Sequence, residues 1–250
     1  MKIAVLSDIH GNLDALQAVL NDIKSQEINR IFICGDLAMA GPEPVETVDF
    51  IIDLTKRYDI KIIQGNTDEM IIKSTGSSDD KYTPSNKIMA EAVKYAQKVL
   101  RADQKEFLME LPETYREKIG NLDILLVHGS PRRNNDDILP DMPTEKVKEM
   151  IESAKENLIF CGHTHLPVIY HIEKQSIVNV GSVGRPFTEK PKACYAVLDY
   201  PDLSGNKFLI DQRFVPYDYE SAADKLAEQT FVGADKLAQM LIKATSRYPE

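Results

Sequence analysis

The sequence predicts an α/β fold in which an open parallel β-sheet is followed by a second, largely antiparallel sheet. Strand-like and helix-like segments alternate in the N-terminal part, whereas strand-like runs follow one another with few helices between them in the C-terminal part. The 250 residues are 43% hydrophobic and include no low-complexity run, so the chain can bury a sizeable core. We therefore predict a single domain over residues 1–250.

The N-terminal part alternates between short apolar runs and segments with apolar residues at helical spacing. Asn12, a residue type that caps helices, precedes the first helical segment, and Pro42 and Pro44 mark the entry to the second. We predict strands at residues 2–6, 30–34 and 60–63 and helices at residues 12–25 and 45–56. Strands that alternate with helices in this way form a parallel sheet.

A segment over residues 68–118 interrupts this alternation. It contains a polar loop at residues 74–84 and two helical patterns, at residues 85–100 and 104–111. Three roles stay open for this segment: a lid over a site, a contact with a second subunit, or packing against the rest of the domain.

The C-terminal part is dominated by strand-like runs, which we assign to the second sheet. The predicted strands lie at residues 124–127, 158–161, 168–171, 176–180, 193–198 and 207–213. Helical patterns at residues 144–154, 219–229 and 234–247 accompany them.

Composition and charge argue against several classes of protein. The net charge of -9 is spread along the chain, so we do not expect duplex nucleic acid as a partner. The first apolar run ends at Ser7, too early for a secretory signal, and no apolar run reaches the ~18 residues of a membrane span. Cys34, Cys161 and Cys194 form no CxxC pair and lie in or beside apolar runs, which indicates buried thiols rather than a disulfide, in a cytoplasmic protein.

Side chains that bind metals follow five of the predicted strands. The ligand types are Asp, Asn and His, in the order Asp8 and His10, Asp36, Asn66, His128, and His163 with His165. Taken singly, each motif is typical of a helix cap or a polar turn. The set indicates one shared site, because the carboxyl ends of parallel strands share an edge where ligands bind.

The histidines support this interpretation. Four of the five histidines fall in these loops, whereas His171 lies within a strand and is interpreted as an ordinary β-residue. A glycine adjoins a ligand in each loop, as expected where the backbone must turn sharply.

The order of these motifs resembles that of the calcineurin-like metallophosphoesterase superfamily over roughly residues 1–185. The stretches at residues 8–12, 128–131 and 181–184 are similar to those of diadenosine-tetraphosphatase-like members, within the small bacterial and archaeal phosphodiesterase branch. The resemblance implies a four-layer α/β/β/α sandwich with two mixed β-sheets.

The resemblance also implies two divalent cations. One would bind Asp8, His10, Asp36 and His165, and the other Asp36, Asn66, His128 and His163. Asp36 would bridge them, and Asp8, Asp36, Asn66 and His128 would be the catalytic residues. Mixed imidazole and carboxylate ligands suit manganese, iron, zinc, cobalt or nickel rather than magnesium or calcium. Among these metals, we expect manganese or iron.

The expected reaction is hydrolysis of a phosphoester or phosphoanhydride bond by a hydroxide that bridges the two metals. The expected substrate is a nucleotide-type small molecule such as a dinucleoside polyphosphate. A broad phosphomonoesterase and a cyclic-nucleotide phosphodiesterase are the enzymatic alternatives, and a metal-site scaffold is the alternative without catalysis. All seven ligand positions are filled, which disfavours the scaffold. A homo-oligomer is left open.

Three residues are predicted to contact the substrate: Asn12, Thr67 and Arg132. Many family members have histidine where Thr67 stands, and threonine is a poor proton donor, so leaving groups that depart as anions should be preferred. Alternatively, Thr67 only caps the helix that follows. Arg132 follows the His128 loop and is expected to pair with a distal phosphate, with an ordinary surface arginine as the alternative.

Overall fold

The computed structural model describes residues 1–77, 79–205 and 207–246, which form ten strands and eight helices. The strands are β1 (Lys2–Leu6), β2 (Arg30–Ile33), β3 (Asp59–Ile62), β4 (Tyr115–Ile119), β5 (Leu122–Leu126), β6 (Leu158–Cys161), β7 (Val168–Ile172), β8 (Gln175–Asn179), β9 (Lys192–Asp199) and β10 (Leu209–Pro216). The helices are α1 (Leu13–Ser25), α2 (Pro44–Leu54), α3 (Asn66–Lys73), α4 (Lys87–Val99), α5 (Ala102–Glu110), α6 (Thr144–Ile151), α7 (Tyr219–Ala227) and α8 (Ala234–Lys243).

The predicted elements are present, with ends that differ by a few residues, and residue 247 of the last predicted helix lies outside the described residues. Strand β4 is an addition that the sequence does not predict. Its side chains alternate between exposed and partly buried positions, so it lacks an apolar run.

Within the described residues the strands form two mixed five-stranded sheets, as the family resemblance implies. The first has the order β10-β9-β1-β2-β3, in which β1, β2 and β3 are parallel. The second has the order β4-β5-β6-β8-β7, in which β5, β6 and β8 are parallel and both edge strands are antiparallel to their neighbours.

Two parts of the predicted strand arrangement are wrong. The sequence places β9 and β10 in the second sheet, but β9 pairs antiparallel with β1, with Lys2 opposite Asp199, and β10 pairs with β9. The second sheet is also not largely antiparallel. Pairing joins segments that are far apart in the chain, so a succession of strand-like runs does not reveal which sheet each run enters.

The two sheets pack face to face with helices on both outer surfaces. Along β1, Ile3 and Val5 point into the core between the sheets, whereas Ala4 and Leu6 point toward α1. On the other side of the second sheet, the strands pack against α6, which contributes Val147 to a third apolar cluster. This alternation of side chains between two buried faces produces the four-layer sandwich.

The segment over residues 68–118 packs against the first helix layer. Helices α4 and α5 contact α2 and α3, and Val93, Ala96 and Leu108 are buried in the same core as α1. The three cysteines are buried and form no disulfide within the described chain, in agreement with the prediction of buried thiols. None of the helices in the described ranges has the length and apolar character needed to cross a membrane.

Candidate metal centre

The structure brings the seven predicted metal ligands together at the ends of five strands. The first three loops follow β1, β2 and β3 of one sheet, and the other two follow β5 and β6 of the other sheet. A hydrogen bond of 2.9 Å from the His163 backbone N–H to Asp8 Oδ2 joins the two groups of loops. The site therefore lies where the carboxyl ends of parallel strands from both sheets meet.

Three ligands form what we call the His10 half: Asp8, His10 and His165. His165 Nε2 lies 3.2 Å from Asp8 Oδ1 and 3.1 Å from His10 Nε2. His10 Nε2 lies 3.7 Å from the same carboxylate oxygen. One donor atom of each residue lies within 4.8 Å of the others, so a single cation can contact all three.

Three further ligands form the Asn66 half: Asn66, His128 and His163. Asn66 Oδ1 lies 2.9 Å from His128 Nε2 and 2.9 Å from His163 Nδ1. Asn66 is the first residue of α3, so its position depends on where that helix begins. These three donor atoms define a second point that a cation can occupy.

Asp36 lies between the two halves. Its Oδ2 is 3.6 Å from His10 Nε2 and 3.4 Å from His128 Nε2, whereas its Oδ1 accepts a hydrogen bond of 2.9 Å from the Thr67 backbone N–H. Asp8 Oδ1 lies 3.2 Å from His165 Nε2 and 3.9 Å from His128 Nε2, so we assign Asp8 to the His10 half, although one donor atom each of Asp8, Asp36 and His128 also lies within 4.8 Å of the others. Asp36 thus presents one oxygen to both halves, which is the geometry of a bridging carboxylate.

Hydrogen bonds to backbone carbonyls orient three of the four histidine rings. The Nδ1 atoms of His10, His128 and His165 lie 2.7, 2.6 and 2.5 Å from the carbonyl oxygens of Met39, Cys34 and Arg185, respectively. A carbonyl oxygen only accepts, so each Nδ1 carries a proton and, in the neutral ring, Nε2 directs its lone pair into the centre.

The donor set fits metal ions because donor atoms of carboxylate, imidazole and amide groups converge at short distances. The Nε2 atoms of His10 and His165 face each other across 3.1 Å while both Nδ1 atoms bond carbonyl oxygens, an arrangement that suits a cation between the two rings. Asp8 Oδ1 is buried and has no hydrogen-bond partner among the described residues. A buried carboxylate oxygen without a partner carries a large desolvation cost unless a cation binds it.

The pKa values of the ligands in the protein without metal also indicate that positive charge is favoured at this site. Burial raises the pKa of Asp8, but His165 and His10 outweigh it and hold that pKa well below its ordinary value. Burial lowers the pKa of His128, but Asp36 and Asp8 outweigh it and raise it to about 10. Burial also lowers the pKa of His165 to about 4, against the opposing effect of Asp8. In the protein alone, the Asp8 carboxylate is therefore ionised and the His128 ring carries the balancing positive charge, which a bound cation would replace.

The ligands stand on strained backbone. Five of the seven adopt left-handed conformations, namely Asp8 (φ 55°), His10 (φ 48°), Asp36 (φ 59°), His163 (φ 67°) and His165 (φ 59°). Such conformations are uncommon for residues other than glycine, and strain of this kind amounts to the order of 1 kcal/mol at each position. The surrounding structure must hold these loops, which is typical of functional sites.

Two of the glycines beside the ligands are required by close packing. A Cβ atom on Gly65 would overlap with the Asp36 carboxylate, and one on Gly162 would overlap with the side chains of Ser7 and Asp8. The predicted sharp turn is found at Gly35, which has a φ of 90°. Glycine therefore serves two different purposes in these loops.

Thr67 is the predicted substrate contact that lies directly against a metal ligand. Its backbone N–H bonds Asp36 Oδ1, and it occupies the second position of α3. Its hydroxyl oxygen is buried and has no hydrogen-bond partner among the described residues.

The other two predicted substrate contacts already have protein partners. Asn12 caps α1, because its Oδ1 accepts a hydrogen bond of 3.1 Å from the Ala15 backbone N–H, and its Nδ2 donates to the Gly184 carbonyl oxygen at 2.9 Å. The Arg132 side chain is 47% exposed, and its Nε donates to Asp136 Oδ2 at 2.9 Å.

Asp68 is a supporting residue to which the sequence assigns no role. Its buried carboxylate accepts backbone N–H bonds of 2.8 Å from Asp36, 2.9 Å from Leu37 and 3.0 Å from Gly65. Burial, reinforced by Asp36, raises the pKa of Asp68 to about 7. Its position three residues after Gly65 has the spacing of a helix cap, which is the signal that could have revealed it.

Three more residues at the site have no local signal in the sequence. Arg185 is buried, its carbonyl oxygen orients His165, and its positive charge contributes to the low pKa of that ring. His165 also stacks on Phe187, with ring centroids 4.4 Å apart. Asp137 Oδ1 lies 3.3 Å from His163 Nε2. Folding alone brings these side chains to the ligands.

Comparison with known families identifies the superfamily of the chain. The sequence model of the calcineurin-like phosphoesterase superfamily domain matches residues 1–202. The chain belongs to this superfamily. The matched span contains all seven ligands of the metal centre, and the two mixed sheets agree with the family fold. This calcineurin-like phosphoesterase is therefore a metal-dependent hydrolase, as the resemblance of its motifs implies.

Similar proteins extend this conclusion over nearly the whole chain. An uncharacterized protein of Methanocaldococcus jannaschii is 32% identical over 241 residues, which cover 90% of this chain and 92% of the relative. The crystal structure of a hypothetical protein from Pyrococcus horikoshii OT3 superposes with a TM-score of 0.85 at 26% identity, covering 97% of this chain and 98% of the other. A metallophosphoesterase from Sphaerobacter thermophilus superposes with a TM-score of 0.75 at 25% identity, covering 98% and 100%.

Proposed function

We propose that this phosphoesterase binds two divalent cations, with manganese or iron as the expected metals, and hydrolyses a nucleotide-type small molecule such as a dinucleoside polyphosphate. The observation that carries the two-metal assignment is the pair of converging donor sets that share Asp36. The His10 half offers one carboxylate and two imidazoles, and the Asn66 half offers an amide oxygen and two imidazoles. Both sets suit borderline divalent ions.

The charges of the ligands support a phosphate substrate. Asp8 and Asp36 are the two negatively charged ligands, and Asn66 and the neutral histidines contribute no charge, so two divalent ions leave the centre positive. When bound, such ions polarise phosphoryl oxygens and lower the pKa of a coordinated water from 15.7 toward ~7. Three histidines are fixed by hydrogen bonds to backbone carbonyls, and the backbone of Asp36 is fixed by its hydrogen bond to Asp68. The donor atoms are therefore held in place before substrate binds, so the site needs little rearrangement during the reaction.

The surroundings of the leaving group support a phosphoanhydride substrate. Thr67 occupies the position after Asn66, and its hydroxyl is a weak acid. A nucleotide that departs from an anhydride leaves as a stable anion and needs no proton. Of the three side-chain nitrogens of Arg132, only Nε has a hydrogen-bond partner among the described residues, namely Asp136, so the terminal N–H groups are available for a distal phosphate.

A panel of substrates tests the proposal. We expect chain loaded with Mn²⁺ to release nucleotides from dinucleoside polyphosphates faster than it hydrolyses cyclic nucleotides, aryl phosphates or phosphopeptides. Cyclic nucleotides as the best substrates would replace the proposal with a phosphodiesterase of that class. Uniform rates on many monoesters would indicate a broad phosphomonoesterase.

Leaving-group dependence provides a sharper prediction. Across a series of aryl and alkyl phosphodiesters, we expect the rate to fall steeply as the pKa of the leaving alcohol rises, because Thr67 cannot protonate it. Steady-state kcat/KM values measure this slope. The variant Thr67→His should flatten the slope by providing a general acid, and an equally flat slope in the wild type would contradict the prediction.

A further inference from the structure

His163 is oriented differently from the other three histidines of the centre. It directs Nδ1 toward Asn66 Oδ1 at 2.9 Å, whereas the others direct Nε2 inward and bond a backbone carbonyl through Nδ1. Its side chain is also the most exposed of the four, at 19%. The outward Nε2 of His163 lies 3.3 Å from Asp137 Oδ1, so a side-chain carboxylate stands where the other rings have a carbonyl.

The neighbours of Asp137 hold it in place although its own side chain is 64% exposed. On one side, Asp136 accepts hydrogen bonds of 2.7 Å from the Ser130 hydroxyl and 2.9 Å from Arg132 Nε. On the other side, Ile138 is fully buried, and its carbonyl oxygen accepts a hydrogen bond of 3.3 Å from Asn179 Nδ2. Asp137 is therefore a surface side chain on an anchored stretch of backbone.

We propose that Asp137 is a positioning residue for the cation of the Asn66 half, acting through His163. Its carboxylate accepts the Nε2–H of His163, which keeps the proton on Nε2 and leaves the Nδ1 lone pair free for the cation beside Asn66. The inference rests on the two-metal centre proposed above. It adds Asp137, which is not itself a ligand, as a residue that stabilises binding of the cation in the Asn66 half.

A carboxylate in this position does more than a carbonyl can. Its full negative charge favours the partial positive charge that the ring acquires when Nδ1 binds a cation, and it limits rotation of an exposed ring. Loss of such an outer partner weakens metal binding by about 10- to 100-fold. Only the Asn66 half should be affected, because the rings of the His10 half have their own carbonyl partners.

Calorimetric titration of the metal-free chain with Mn²⁺ tests this inference with three variants. Asp137→Ala should weaken one of two binding events by about 10- to 100-fold and leave the other unchanged. Asp137→Asn should recover most of the loss, because the amide oxygen still accepts a hydrogen bond from His163. Asp141→Asn removes a charge from an exposed side chain of the same loop and should bind as the wild type does.

A double-variant cycle connects the effect to His163. Once His163→Ala has removed the ring, adding Asp137→Ala should change Mn²⁺ affinity no further. Wild-type affinity in Asp137→Ala, equal weakening of both ions, or weakening in Asp141→Asn as large as that in Asp137→Ala would each overturn the role of Asp137 while the proposed function stands. A wild-type chain that binds one ion would overturn the two-metal centre and this inference together.

Discussion

The two halves of the metal centre differ in how the protein supports them. In the His10 half, all three ligands are almost fully buried, and both rings bond backbone carbonyls. In the Asn66 half, His128 has the same kind of support, but Asn66 depends on the start of α3, and His163 Nε2 lies 3.3 Å from an exposed carboxylate. One candidate ion site is therefore fully buried in the core, whereas the other includes a ring that is partly exposed to solvent.

This difference leads to an order of binding. Carboxylate and imidazole donors that are held rigidly in a buried site bind a cation strongly, because little freedom is lost and the local dielectric is low. The Asn66 half has no charged ligand of its own besides the shared Asp36. We therefore expect the ion of the His10 half to bind more tightly and the ion of the Asn66 half to exchange more readily.

The largest expected effect is that of Asp36→Asn, which removes the charge shared by both halves. Phosphoesterase activity should fall by at least the roughly 10²- to 10³-fold that loss of one electrostatic stabiliser causes. Affinity for both ions should weaken, while the fold persists because the amide oxygen still accepts the Thr67 N–H. Kinetics and Mn²⁺ titration measure the two effects, and weakening of one ion only would break the assignment of Asp36 as a bridge.

The next effect separates the halves directly. His10→Ala should weaken the tighter Mn²⁺ site and His163→Ala the weaker one, each by more than the about 10- to 100-fold expected for an outer partner. Titration of each variant beside the wild type shows which site is lost. If His163→Ala removed the tighter ion, the comparison of buried and surface sites would be reversed.

Substitution of the closely packed glycine beside each half should have a smaller effect, on the free energy of unfolding. Gly162→Ala forces a methyl group against Ser7 and Asp8 in the His10 half, and Gly65→Ala forces one against Asp36 beside the Asn66 half. Each should lower the free energy of unfolding by about 1–3 kcal/mol, the usual penalty of overpacking. Chemical denaturation of the metal-free chain measures this. Unchanged stability in either variant would show that the loop can move away.

The smallest expected effect concerns the unpartnered hydroxyl of Thr67. Thr67→Val keeps the shape of the side chain and removes a buried polar atom that has no partner among the described residues. The free energy of unfolding of the metal-free chain should rise by about 1 kcal/mol. Chemical denaturation of the variant and the wild type measures this difference. A lower free energy of unfolding in the variant would show that the Thr67 hydroxyl is hydrogen-bonded in solution.

Much of the fold and the site follows from local sequence. The seven candidate ligands follow recognisable apolar strands in loops that each contain a glycine, so these candidates and most strands can be predicted without a structure. The pairing partners of β9 and the presence of the edge strand β4 could not be predicted from the sequence. Both depend on pairing with other strands rather than on a local apolar pattern. The observed ends of the helices also differ from the predicted ends by a few residues, since caps depend on the surrounding tertiary packing.

The sequence by itself determined which residue types stand at the strand ends, and hence the chemistry of a metal-dependent phosphoesterase. Only the tertiary structure decided that five of the ligands adopt left-handed backbone, that Asp36 faces both halves, and that Asp137 and Arg185 reach the histidines. The physical reason is that residue identity is local, whereas the direction of a lone pair and the partner of a ring nitrogen depend on loops that only folding brings together.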